Sequence, residues 1–181
     1  MSFESIDIDI LRTINVDRFT QLDDFFRFLS NTAPYISGII PLAFILFGLF
    51  RKRNDIRRTG LQIASSYLLS VVVSNVLKYI VDRPRPFVTY SFIQKLSYGG
   101  SGSFPSGHTS DVFVMATAVS ILFPRWFIIV PIYCWAIFVA YSRMDLGVHY
   151  PSDVLAGVIV GAGSAILCNI LFNRKSKQQS D

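Results

Sequence analysis

Two stretches of this chain hold residues whose types and spacing could carry chemistry. One is "SRMDLGVHYPSDV", residues 142–154, where Arg143 stands six residues before His149 and Asp153 four residues after it. The other is "SFPSGHTS", residues 103–110, which holds His108. They contain the chain's 2 histidines, and each lies at a junction between apolar runs. His149 and Asp153 are i and i+4, so the carboxylate could hydrogen-bond one ring nitrogen and leave the other exposed. Gly147 permits a turn ahead of this pair, and Pro151 suits the first turn of a following helix.

A third stretch, "KYIVDRPRP" at 78–86, adds Lys78 and two arginines. Pro84 and Pro86 push the residues before them, Arg83 and Arg85, out of helical geometry, which holds Arg85 on a stiff extended segment. In "PSGH", Ser106 and Gly107 precede an apolar helical run, so the first backbone N–H groups of that helix could cradle an anion. Gly107 lets the backbone come close.

Three cations, a helix N-terminus, two histidines and an orienting carboxylate make a phosphate site equipped for nucleophilic attack. One histidine with a carboxylate behind it can attack phosphorus. The second can protonate the departing oxygen. Lys78, Arg85 and Arg143 would stabilise charge on the equatorial oxygens. No cluster of carboxylates is available for Mg²⁺, so the basic residues would do that work, and neither a metal nor another cofactor is expected. Each piece alone has a plainer account: a histidine packed at a membrane boundary, a serine capping a helix, a lysine snorkelling at a span end. Their combination is what points to phosphate.

The elements that must position these residues are apolar. Hydrophobic residues make up 51% of the 181-residue chain and charged residues 16%. The apolar residues are grouped into runs at 34–50, 59–81, 109–123, 126–141 and 154–172. A bilayer core takes ~20 apolar residues of helix; the second and fifth runs reach that length, and the others need flanking residues. The expected fold is an all-α integral membrane bundle of five spans, with the core at 34–172. Residues 1–33 show helical stripes, Phe3, Ile6, Ile10 and Ile14, then Leu22, Phe25, Phe26 and Leu29, with a break at 15–17. They are expected to form an amphipathic, interfacial segment. The tail, 173–181, is polar and expected to be disordered. Cys134 and Cys168 lie inside apolar runs and read as packing residues.

Five spans would place "RKRNDIRR" (51–58), Arg125 and the basic tail on one side. The positive-inside rule makes that side cytoplasmic, so both histidine junctions would face outward. Arg83, Arg85, Lys95 and Arg143 are then basic residues on the disfavoured side, as an anion site would require.

Lys-x6-Arg-Pro (Lys78 to Pro86), Pro-Ser-Gly-His (Pro105 to His108) and Ser-Arg-x5-His-x3-Asp (Ser142 to Asp153) occur in order without a mismatch. They resemble the three signature motifs of the type-2 phosphatidic acid phosphatase superfamily. The resemblance implies that His149 is the nucleophile, forming a phosphohistidine, with Asp153 orienting it. It implies that His108 is the general acid and later activates water. Lys78, Arg85, Ser106, Gly107 and Arg143 would bind phosphate, with no metal required. The family core usually has six membrane-associated helices, one more than the five spans here. The expected function is hydrolysis of a lipid phosphate or diphosphate at the outer face of a bacterial inner membrane, leaning to undecaprenyl diphosphate. Phosphatidylglycerol phosphate, phosphatidate and lipid A phosphates are alternative substrates. Phosphotransfer to a lipid or sugar acceptor and a non-catalytic lipid-phosphate binder are alternative functions. The expected partners are the membrane and its lipid phosphate, not nucleic acid; the oligomeric state is left open.

Overall fold

The computed structural model describes residues 3–178, and every regular element in it is helical. Helix α1 (Phe3–Val16) is followed by a 3-10 turn (Thr20–Leu22) and by α2 (Asp23–Phe50). Then come α3 (Asn54–Val81), the single turn α4 (Pro86–Thr89), α5 (Gly107–Leu122), α6 (Trp126–Asp145) and α7 (Pro151–Gln178).

Four stretches are long and apolar enough to cross a membrane: Thr20–Phe50, Asn54–Thr89, Trp126–Asp145 and Pro151–Arg174. The expected fifth, α5, has 16 residues. At ~1.5 Å per residue it rises only ~24 Å, short of a hydrocarbon core of ~30 Å. The expected five spans are thus four long helices around one short central helix. Val114, Met115, Ala118 and Val119 of α5 pack with Ile63 of α3 and Ala165 of α7. On its other side Val112 and Ala116 meet Ala33 of α2 and Ala136 and Val139 of α6. Outside, Leu46, Leu68, Val72, Ile137, Phe138, Leu155 and Ile159 stay exposed, an apolar surface suited to lipid.

Small residues set how closely the helices approach. On α3, Ser66, Ser70 and Ser74 recur every four residues and are all buried. On α7, a Cβ at Gly157 would lie 2.7 Å from the Ser106 carbonyl oxygen, and one at Gly161 would lie 2.5 Å from that of Ser110. Backbone therefore meets backbone between α5 and α7, the packing mode of helices that have no hydrophobic force between them in lipid.

Two expected boundaries move. Residues 23–33 are not a separate surface segment: α2 runs unbroken through Pro34 and Pro41, and Phe26, Ser30 and Ala33 are buried in the bundle. The charged residues Asp23, Asp24 and Arg27 occupy only its first turns, so the charge-free run is shorter than the helix that contains it. At the other end α7 continues to Gln178, which makes 173–178 helical; residues 179–181 of the expected tail lie outside the described residues. Cys168 is buried, whereas Cys134 is exposed on α6 and is not a packing residue.

The break expected at 15–17 falls at 17–19, after α1. Its apolar stripe, however, is not the face that packs: Ile6 and Ile10 are exposed, while Asp7, Leu11 and Asn15, at steps of four, are buried. Asn15 Nδ2 donates to the carbonyls of Gln94 (3.1 Å) and Asp145 (2.8 Å), and its Oδ1 accepts the Gln94 N–H at 2.8 Å. One face of α1 is thus bonded to the loops, and its apolar stripe stays free for a membrane surface.

The close α5–α7 contact predicts a difference between two glycines of one helix. Gly161→Ala should destabilise the protein by about 1–3 kcal/mol through overpacking, because its Cβ meets backbone. Gly163→Ala, with nothing within 4 Å, should be neutral or stabilising. Thermal unfolding of both variants in the same detergent checks this.

Candidate active site

The site is assembled from the two junctions and the end of α3. Helix α3 stops at Asp82, whose φ of 39° is left-handed and whose N–H returns to the Lys78 carbonyl at 3.0 Å. The Arg-Pro-Arg-Pro run then leaves extended, with Arg85 at φ −74° and ψ 151° before Pro86 starts α4. This is the conformation that a following proline imposes. Arg85 is 8% exposed. Its Nε donates to the Ser101 carbonyl at 2.8 Å, and its Nη1 donates to the Val148 carbonyl at 2.9 Å. The same Nη1 lies 3.3 Å from His149 Nε2. Lys78 Nζ, at the end of α3, donates to the carbonyls of Gly102 (2.9 Å) and Pro105 (2.7 Å).

The α6–α7 junction turns through Gly147, whose φ is 71°. A Cβ there would lie 2.2 Å from the Gln94 carbonyl oxygen, so both the conformation and the space call for glycine. The N–H groups of Val148 and His149 each return to the Arg143 carbonyl at 3.2 Å. That pair of bonds places the imidazole, and Arg85 fixes its tautomer. A guanidinium can only donate, so the nitrogen facing it, Nε2, carries the lone pair and the ring proton sits on Nδ1. Nδ1 lies 3.5 Å from Asp153 Oδ2 on the first turn of α7. Burial pulls the His149 imidazole far below its usual value, to about 3; Asp153 opposes this, and Arg143 and Arg85 add to it. The ring is neutral.

Asp153 is fully buried and held on three sides. Ser103 Oγ donates to its Oδ2, as does the Tyr150 N–H at 2.9 Å, and Arg83 Nη1 donates to its Oδ1 at 2.9 Å. Arg143, 2% exposed, donates from Nη1 to Ser30 Oγ of α2; its Nε has no hydrogen-bond partner among the described residues. Ser106 stands at the N-cap of α5, but its hydroxyl makes no capping bond, contrary to the plain expectation for "PSGH"; it accepts from Thr109 Oγ1 at 2.8 Å instead. The Ser106 N–H donates to the Asp153 carbonyl at 2.9 Å, and the helical ladder begins with the Ser110 N–H to Ser106. The N–H groups of Gly107, His108 and Thr109 precede that ladder, as at any helix start.

All eight residues singled out in the sequence come to one end of the bundle. Gly107 faces the Lys78 side chain at 3.9 Å from its Cβ position, and His108 lies in the field of Arg143, His149, Arg85 and Lys78. His108 has no side-chain hydrogen bond to the other seven among the described residues. Sequence reasoning missed Ser30, Ser103, Ser152 and Asp7, and noted Arg83 for its charge and its place before Pro84 but gave it no role in the site. Arg83 in fact joins Asp153 to Asp7 of α1. These partners are far apart in sequence and follow no local period.

Comparison with known proteins agrees with the motif reading. The sequence model of the PAP2 superfamily matches residues 59–177, a range that contains all eight residues. An undecaprenyl-diphosphatase of Sulfolobus acidocaldarius is 30% identical over 164 residues, which cover 88% of this chain and 75% of that protein. A lipid A 1-phosphatase of Rhizobium johnstonii is 35% identical over 120 residues, covering 64% of this chain and 48% of the relative. The crystal structure of Aquifex aeolicus LpxE superposes with a TM-score of 0.75 at 26% identity, covering 93% of this chain and 98% of that one. Three motifs in order, a helical bundle that gathers them at one end, and a family match over two-thirds of the sequence lead to one conclusion: the chain belongs to the PAP2 superfamily.

Proposed function

We propose that this protein is a membrane phosphatase that hydrolyses a lipid phosphate or diphosphate through a phosphohistidine at His149, without a metal ion. The observation that carries the reading is an excess of sheltered positive charge. Lys78, Arg85 and Arg143 lie in one another's field, and the carboxylates acting on them are Asp153, which already shares Arg83, and Asp111 beside Lys78. Cations held together at low dielectric repel one another. A phosphate group relieves that repulsion and supplies an acceptor for Arg143 Nε.

In the first step the His149 Nε2 lone pair forms a bond to phosphorus as the P–O bond to the leaving group breaks, an anhydride bond in a lipid diphosphate and an ester bond in a lipid monophosphate. Burial and the neighbouring Arg143, His149, Arg85 and Lys78 pull His108 down to about 3. The negative charge of the phosphate offsets those cations, so His108 takes up a proton with the substrate and passes it to the departing oxygen. Positive charge grows on the imidazole, and Asp153 stabilises it from the Nδ1 side. Lys78, Arg85, Arg143 and the N–H groups around Gly107 hold the equatorial oxygens, while Ser106 shapes that turn. In the second step His108 takes a proton from water, the water oxygen attacks phosphorus, and the N–P bond breaks to release inorganic phosphate.

A lipid substrate is supported by a cavity of about 530 Å³ that opens beside Arg83 and Ser152 and continues along α7. Val81, Phe104, Leu155, Ala156 and Ile159 line it, a wall suited to a hydrocarbon chain. Between substrates, the reading leans to undecaprenyl diphosphate: similarity to undecaprenyl-diphosphatases extends over 88% and 86% of this chain, and a lipid A 4'-phosphatase, similar over 86%, keeps lipid A phosphates as the second reading. The site faces outward in this reading. The turns at 51–53 and 123–125 join helix ends remote from the site, and they hold Arg51, Lys52, Arg53 and Arg125. Basic residues mark the cytoplasmic side.

Purified protein in detergent with EDTA should release phosphate from undecaprenyl diphosphate faster than from phosphatidate, phosphatidylglycerol phosphate or a lipid A phosphate. His149→Ala should lower that release by roughly 10³-fold or more. Asp153→Asn should lower it by roughly 10²–10⁴-fold while leaving the fold intact. Loss of wild-type release in EDTA, restored by a divalent ion, would remove the metal-free mechanism. In a background with Cys134 and Cys168 replaced, a cysteine placed in 87–100 should react with an impermeant reagent from outside intact cells, and one in 51–58 should not.

A further inference from the structure

Asp7 lies on α1, outside the residues 59–177 matched by the family. An acid on an amphipathic surface helix ordinarily faces water, yet Asp7 is only 4% exposed. It is bonded to the first turn of α7 and to the Arg-Pro run. Its Oδ1 accepts the Ser152 N–H at 2.8 Å, and its Oδ2 accepts Ser152 Oγ at 2.5 Å and Arg83 Nη2 at 2.8 Å. Arg83 Nη1 in turn donates to Ser152 Oγ at 2.7 Å and to Asp153 Oδ1 at 2.9 Å. The guanidinium carbon stands 3.7 Å from the centre of the Tyr150 ring, which fixes its plane.

One cation therefore bridges two carboxylates. Were Arg83 paired with Asp153 alone, the pair would be neutral and would offer little to a charge developing on His149. With Asp7 included, the group Asp7–Arg83–Asp153 keeps a net negative charge. We infer that Asp7 is a positioning residue for phosphoryl transfer: through Arg83 and Ser152 it fixes Asp153 and preserves the negative charge that Asp153 presents to His149. The inference rests on His149 being the nucleophile. Residues 151–153 begin α7, and Asp7 bonds both groups of Ser152, so α1 also sets where that first turn stands.

The charged and titratable groups around His149 come from each neighbouring element. They are Asp153 of α7, Arg143 of α6, His108 of α5, and Arg85 ahead of α4, with Lys78 of α3 beside them. From α2 comes the uncharged Ser30, bonded to Arg143. Asp7 is the contribution of α1, acting through Arg83. Removing its charge makes the imidazolium harder to form. The acidic fall of kcat/KM, set by protonation of His149, then moves to lower pH, and the transition state loses stabilisation.

The test is Asp7→Asn in the full chain, assayed in detergent with the best lipid phosphate across pH, beside wild type and His149→Ala. The expected result is a kcat lowered by about 10- to 100-fold, a KM changed by less than about threefold, an acidic limb shifted down, and unchanged thermal unfolding. A folded Asp7→Asn enzyme with wild-type kcat overturns the inference. So does a loss of activity with the acidic limb unmoved, which is what a merely structural role for α1 would give. If Asp7→Asn fails to fold, Ser152→Ala decides by kcat and KM. It removes one donor to Asp7 and leaves the Asp7 charge in place, so a lowered kcat with KM and the acidic limb unmoved is expected, and a wild-type kcat overturns the inference. An inactive His149→Ala beside a fully active Asp7→Asn defeats this inference alone. An active His149→Ala defeats the nucleophile reading beneath it.

Discussion

Positive charge sheltered from water is the constraint on which the rest of this structure depends. A guanidinium or ammonium withdrawn into low dielectric costs several kcal/mol unless its donors find acceptors. The chain supplies them from backbone more than from carboxylates. Lys78 takes two loop carbonyls, and Arg85 takes two more. Arg143 has Ser30 as its bonded acceptor and lends its own carbonyl to the His149 turn. Neutral acceptors satisfy hydrogen-bonding capacity without cancelling charge, so the positive charge of these three side chains persists. The loops at 82–106 and 146–150 are shaped by this requirement: their carbonyls must point inward, which the extended Arg-Pro run and the left-handed Gly147 make possible.

Those loops could not hold their shape on mobile supports. The helices beneath them approach at glycine positions, so backbone rather than long side chains sets the spacing of α5 against α7 and of α2 against α3. Side chains can change rotamer; a backbone contact has no such freedom. The short α5 is enclosed by its neighbours and carries Gly107 and His108 at its first turn. It has apolar contacts on both flanks, which is why its sequence shows hydrophobic residues all round rather than a single stripe.

Most of the site was legible because its information is local. His149 and Asp153 are four residues apart, Arg85 is fixed by the proline after it, and the helix start at 106–107 is announced by Pro-Ser-Gly. What was illegible is long-range. Ser103 meets Asp153 across 50 residues, Ser30 meets Arg143 across 113, and Asp7 meets Ser152 across 145. Hydropathy located the long helices but misplaced the start of α2, because charged residues in a first turn do not end a helix. It marked the exposed stripe of α1 as a surface face and had nothing to say of the opposite one. The face that packs is Asp7, Leu11 and Asn15, two of them polar, which no hydrophobic pattern would select.

The bond from the Ser106 N–H to the Asp153 carbonyl ties the start of α5 to the start of α7, and with them the two histidine motifs. Neither partner atom belongs to a side chain. Replacement of residues on either helix therefore leaves the tie available, so long as both first turns form. Gene divergence can rework the walls that meet the lipid tail, or the loops that meet the headgroup, without altering the separation of the two imidazoles. A scaffold fastened in this way can change its clientele while its reaction stays the same.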